Sequence, residues 1–233
     1  MVNERRTGDR SSRKGGGRSG RPPVNVVTPR KPWGLIATAL VVVVFATGVL
    51  TYAIQQVNKA EADRVTSVDQ IDGVTAYDYA PAQHTYDSVT YDQNPPAGGP
   101  HDYQWADCTG TVYDVDIRHE NAVHSLEHGA VWITYNPDRL SADDVQTLAD
   151  RVDGRTGLML SPYIGLDGTI SLQSWNHQLF VDSATDPRID QYIDFFLFNP
   201  EHTPEVGATC ENPAFLANPP VAGTSGITAS VTE

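Results

Sequence analysis

Apolar residues are distributed along this chain in two ways. From Trp33 to Ile54 they run for 22 residues without a charge. A helix over that stretch is about 33 Å long, enough to cross a hydrocarbon layer of about 30 Å with slight tilt. Trp33 and Tyr52 fall near its ends, where interfacial aromatics sit. Downstream, the apolar positions come in short periodic groups. Residues 129–135 (Gly-Ala-Val-Trp-Ile-Thr-Tyr) are dense in β-branched and aromatic side chains and stop at Asn136-Pro137, which predicts a buried strand and a turn. Val145, Leu148, Ala149 and Val152 recur at helical spacing behind Ser141, whose hydroxyl suits an N-cap with Asp144 in the first turn, and Gly154 closes that helix. Residues 158–164 and 169–175 read as two further strands joined by a turn at 165–168. A last helix starts at Asp186-Pro187 and runs to about Phe198, with Ile189, Ile193, Phe196 and Leu197 on its apolar face.

The order strand, helix, strand, strand, helix predicts an α+β fold: one N-terminal transmembrane helix, then a single extracytoplasmic α/β sandwich domain on a small mixed or antiparallel sheet. Composition sets the expected boundaries. Residues 1–32 are a disordered basic tail, 33–54 the transmembrane helix, 55–67 a polar stalk, 68–212 a globular domain large enough for one core, and 213–233 a flexible tail rich in Pro, Ala, Gly, Ser and Thr.

The net charge of −13 conceals a division. Residues 1–32 hold nine of the 16 Lys and Arg against two acids, whereas from Gln55 onward seven basic residues face 27 acidic ones. A basic flank before the apolar run and an acidic one after it place the N-terminus in the cytoplasm and residues 55–233 outside the cell membrane. The apolar region of a cleaved signal peptide is shorter, about 7–15 residues, so the helix from Trp33 to Ile54 is expected to stay as an anchor. An acidic domain excludes nucleic acid as its partner. Cys108 and Cys210 both lie in the external part, where a disulfide is the default; reduced thiolates holding copper are the alternative.

Candidate chemistry concentrates in residues 123–129, Val-His-Ser-Leu-Glu-His-Gly. On a helical turn His124 and His128 share one face, the spacing that offers two imidazoles to one ion, with Glu127 beside them. His-x-x-Glu-His is also the signature of inverted zinc peptidases, in which the glutamate is the general base and a distant glutamate, here Glu201 or Glu205, completes the zinc site. Gly129 and the strand after it deny the motif the long helix that chemistry uses. His101 follows Asn-Pro-Pro-Ala-Gly-Gly-Pro (94–100), whose prolines fix the backbone and whose glycines allow close approach. Such a loop can present His101 to His124 and His128, a three-imidazole set for copper or zinc. Glu127 is then a fourth ligand or an acceptor that orients an imidazole, and His84 an additional ligand. Trp105, Trp132 and Trp175 read as core, Trp175 alternatively as a neighbour of the site. His119, His177 and His202 read as surface or packing residues, and Asp114, Asp116, Asp143 and Asp144 as a solvated acidic face.

The run Tyr91 to His101, then Trp105 and Cys108, then residues 123–135 and Ser174-Trp175, resembles the bacterial family catalogued as domain of unknown function 3105, over roughly residues 70–200. The resemblance implies a single-pass or secreted envelope protein without an established activity. Ala97-Gly98 stands where that family usually has a Thr-Ser type of pair, and Thr109 with Thr111 loosens the spacing between Cys108 and Tyr113; the histidines are untouched. Three functional readings stay open. The first is a transition-metal site that handles copper or supports a metal-dependent membrane complex. The second is a non-catalytic interaction module for an envelope or membrane-complex protein, with the histidines bracing the fold, and the third a metallohydrolase. Imidazole nitrogens converging within about 4 Å of one point indicate an ion; a closed hydrogen-bonded set indicates bracing.

Overall fold

The computed structural model describes residues 31–62 and 64–224, so nearly all of the expected basic tail and residues 225–233 lie outside the described residues. The described residues divide into two units between Asn58 and Lys59. Helix α1 (Trp33–Ala62), most of it in the first unit, forms over the charge-free stretch and continues through most of the expected stalk. Its portion Trp33–Lys59 is long and apolar enough to cross a membrane. Three of its threonines donate to carbonyls one turn back: Thr38 to Gly34 (2.9 Å), Thr47 to Val43 (2.7 Å) and Thr51 to Thr47 (2.8 Å). These bonds satisfy the three threonine hydroxyls within the helix.

The second unit holds a six-stranded mixed sheet of β1 (Thr75–Ala76), β2 (Thr111–Val112), β3 (Val131–Tyr135), β4 (Leu158–Pro162), β5 (Ile170–Ser174) and β6 (His177–Val181), in the order β1-β6-β5-β3-β4-β2. Around it lie α2 (His119–Glu127), α3 (Ala142–Val152), α4 (Pro187–Phe196) and the short α5 (Pro213–Ala217). Ser141 caps α3 as expected, accepting from Asp144 N–H, and α3 is the crossover that the parallel pair β3–β4 requires. The connection at residues 165–168 joins β4 to β5 as expected, but the two strands are not neighbours in the sheet. It carries β5 to the far side of β3, where Ile133 lies opposite Leu172 on one edge and Leu160 on the other. β5 instead pairs with β6 through a tight turn in which Asn176 holds φ +63°, a conformation asparagine tolerates.

Strand periodicity divides the core between the two faces of the sheet. Val131 and Ile133 of β3 join Leu158, Leu160, Ile170 and Leu172 under α3 and α4. Trp132 and Met159 point the other way and meet Ala122, Val123 and Leu126 of α2 together with Cys108 and Cys210. The loops that cover this second face are tied by a disulfide between those cysteines, 102 residues apart in sequence with Cα atoms 4.7 Å apart, so neither sulfur is free to hold copper. The tail expected from residue 213 is ordered to Thr224: Phe215 is buried edge-on against Tyr113, and Ala222 N–H donates to Asp116 O (2.9 Å).

Closing a loop of this length constrains the unfolded chain, so the Cys108→Ala/Cys210→Ala variant should unfold with about 2–5 kcal/mol less stability. Denaturant midpoints equal to those of the unaltered protein would contradict that role.

Candidate metal centre

Helix α2 ends where the site begins. Gly129 closes the helix at φ +91°, and a Cβ there would fall 2.7 Å from Thr203 Oγ1. His124 and Glu127 occupy the last turn, and His128 is the C-cap. His84 and His101 arrive on two loop segments joined by an isolated parallel bridge, in which Thr85 N–H donates to His101 O (2.7 Å) and His101 N–H to Gln83 O (2.9 Å). The glycines before His101 do allow close approach: a Cβ on Gly98 would stand 2.8 Å from the Tyr79 ring.

Three of the imidazoles are oriented in one way. Nδ1 lies 2.8 Å from Gly99 O in His101, 2.6 Å from Asp102 O in His124 and 2.8 Å from Thr209 O in His128. A carbonyl can only accept, so each Nδ1 carries a proton and each neutral ring presents a lone pair at Nε2. Asp102 is itself held by the buried Arg118, whose Nη1 donates to its carboxylate at 2.5 Å.

The Glu127 side chain is 0 % exposed. Its Oε1 accepts the Ala82 N–H at 2.6 Å, and Ala82 adopts φ +59° to deliver it, a conformation uncommon for a residue with a Cβ. Its Oε2 lies 2.9 Å from His101 Nε2 and 3.8 Å from His84 Nε2. Among the described residues neither Oε2 nor His101 Nε2 has a hydrogen-bond partner of ordinary geometry. With Nδ1 of His101 committed to Gly99 O, a buried carboxylate oxygen faces the ring's other nitrogen out of reach of bulk solvent, an arrangement that needs a cation between them, either a proton or a metal ion.

Potential ligand atoms fall into two overlapping sets, each with all members within 4.8 Å of one another: His84, His101, His124 and Glu127, and His124, His128 and Glu205. The expected trio of His101, His124 and His128 is thus divided. His101 belongs with His84 and Glu127, His128 belongs with Glu205 at 3.3 Å, and His124 belongs to both sets. Glu201, the other acid considered from the sequence, is in neither.

Burial drives the His124 imidazole down to about 3, reinforced by His128 and opposed by its bond to Asp102. His128 is lowered by burial against the pull of Thr209 O and Glu205. Both rings therefore stay neutral near pH 7 and can donate a lone pair. Burial pushes the Glu127 carboxyl up, but the adjacent His101 and the Ala82 N–H outweigh it and hold the group below its usual range, ionised.

Aromatic rings wall the site. Trp105 is half-buried rather than in the core, over His128 (centroids 5.0 Å apart) and His124 (5.8 Å). Trp132 lies in the core, and Trp175 sets its edge against His101 at 5.7 Å. Tyr103 stacks on His84 at 5.1 Å. His119 stacks on Tyr163, and His177 and His202 pack against Phe196. Asp116 departs from the expected acidic face: it is buried, accepts the Ile164 N–H and lies 3.1 Å from His119 Nε2. Ala82, Arg118 and Thr209 escaped the sequence reading. Ala82 and Thr209 contribute through their backbone, which no side-chain pattern marks; a lone Arg one residue before a His-Glu pair was the available signal for Arg118. A general-base role for Glu127 does not fit, since one oxygen is bonded to Ala82, the other abuts His101, and no part of the group reaches solvent.

An apolar helix and a mixed α/β domain with a buried histidine–carboxylate cluster define the class, a candidate metal-binding protein with one potential membrane span. Residues 83–212, more than half of the chain and including all six residues of the two sets, match the family described as Protein of unknown function (DUF3105), and the chain belongs to that family. No curated protein and no solved structure matches it.

Because folding holds His124 neutral, the unfolded chain binds more protons than the folded one between pH 6.5 and about 3, and stability rises with pH across that window. The chelator-treated protein should lose stability as pH falls below 6.5, and His124→Gln should reduce that slope. Urea midpoints at several pH values give the comparison, and equal slopes would contradict it.

Proposed function

We infer that this chain is a membrane-anchored protein whose extracytoplasmic domain holds one divalent transition-metal ion, copper(II) or zinc(II), through His84, His101, His124 and Glu127. One observation carries the reading: His101 Nε2 and Glu127 Oε2 are buried, 2.9 Å apart and, among the described residues, without a hydrogen-bond partner of ordinary geometry. Four ligands at about 2.1 Å around an ion stand about 3.4 Å from one another. The two Glu127 contacts, 2.9 and 3.8 Å, bracket that separation. Three nitrogens and one oxygen, with both sulfurs in a disulfide, suit copper(II) or zinc(II) rather than copper(I). Bound there, the ion supplies a positive charge beside the buried, ionised Glu127.

The interaction-module reading accounts for half of each ring. The bonds from Nδ1 to Gly99, Asp102 and Thr209 brace three loops, as that reading requires, but they leave the inward Nε2 atoms unexplained. Charge asymmetry about the apolar helix and the disulfide both support an external location for the domain. Holding an ion, rather than transforming a substrate, is the activity we assign.

Elemental analysis of the full chain, purified without an affinity tag, should find about one ion per molecule, with little metal in the His124→Ala/His128→Ala double variant and affinity at least about tenfold weaker in Glu127→Gln. Equal, sub-stoichiometric metal in all three would overturn the reading.

A further inference from the structure

We propose that the second set, His124, His128 and Glu205, is a transit position through which the ion reaches and leaves the buried set, so that the metal is exchangeable cargo. This rests on the metal reading above and extends it with three observations. First, the two sets share His124, whose Nδ1 is committed to Asp102 O at 2.6 Å, leaving Nε2 as its one available ligand atom. A single imidazole nitrogen ligates one ion at a time, so the sets are alternative addresses for one ion rather than two filled sites.

Second, the sets differ in access. Glu205 is 41 % exposed, whereas Glu127 is 0 % exposed. A half-exposed carboxylate is a suitable first contact for a hydrated cation. The buried set's own outermost member, His84, is a ring only 21 % exposed and stacked under Tyr103. Third, the two positions are mechanically tied. Glu205 N–H donates to Glu127 O at 3.0 Å, and the His124 and His128 rings lie 4.6 Å apart edge to face. A shift from one set to the other is therefore a local ligand exchange that keeps His124 on the ion throughout. Bonds to His128 and Glu205 break as bonds to His101, His84 and Glu127 form. No electron is transferred, and the exchange itself adds or removes no proton.

Neither residue named only in the outer set is needed for the buried one, which makes the idea separable by kinetics. Stopped-flow uptake of cobalt(II) by the full chain in detergent, followed by its d–d absorption, and release into excess chelator give the two rates. Glu205→Gln should slow uptake and release together by tenfold or more, because it obstructs the route in both directions. Glu127→Gln should instead speed release by tenfold or more. Glu201→Gln makes the same charge change on an exposed neighbour outside both sets and should alter neither rate by more than twofold.

Unchanged rates in Glu205→Gln would overturn the transit role, as would two ions per chain at saturation, or slowing by His84→Gln in place of Glu205→Gln. A wild-type chain that takes up no cobalt(II), copper(II) or zinc(II) overturns the metal reading itself and the transit role with it. Binding that depends on Glu127, with rates of uptake and release that are both indifferent to Glu205, leaves the first standing and removes the second.

Discussion

An ionised carboxylate held away from water is the constraint around which one face of this domain is arranged. Removing such a group from solvent costs several kcal/mol unless donors or a cation replace its hydration. Glu127 receives one backbone N–H, from Ala82, and its second oxygen faces the imidazoles of His84 and His101, so the remaining compensation falls to a proton or metal ion held between them. That requirement explains why segments distant in sequence converge on the end of α2. It also explains why Ala82 holds a left-handed conformation when no glycine is there to ease it.

Orientation is set one layer further out. The carbonyl that fixes the His124 ring belongs to Asp102, and the Asp102 side chain is gripped by an Arg118 that has no access to water. The carbonyl that fixes His128 belongs to Thr209, next to Cys210, whose bond to Cys108 ties two segments 102 residues apart. The disulfide therefore contributes position as well as stability, since the acceptor that sets the His128 tautomer is anchored beside it. Trp132, on the central strand, gives α2 the flat apolar surface on which the site is mounted.

Much of this was legible in the chain, and the illegible parts share a cause. α1, β3, α3 and α4 each carry their own period, cap or stop, so local pattern identifies them. β1 and β2 are two residues long and have no period to read. β6 escaped because His177 and Gln178 give it a polar start although both are buried. The pairing of β5 with β3 is a long-range choice that the turn at residues 165–168 conceals. At the site, His124, Glu127 and His128 announce themselves by spacing, and His101 by its loop. How they divide does not show: that His101 and His84 share Glu127 while His128 turns to Glu205 follows from a bridge between two loops, which exists only once the chain has folded.

Anomalous diffraction from a crystal of the metal-loaded protein tests the central claim most directly. One ion is expected, bonded at about 2.0–2.2 Å to Nε2 of His101 and His124 and to a Glu127 oxygen, with the Nδ1 atoms of His101, His124 and His128 still on their carbonyls. An ion bound through Nδ1, or a site without metal in which His101 Nε2–H and water satisfy Glu127, would contradict it.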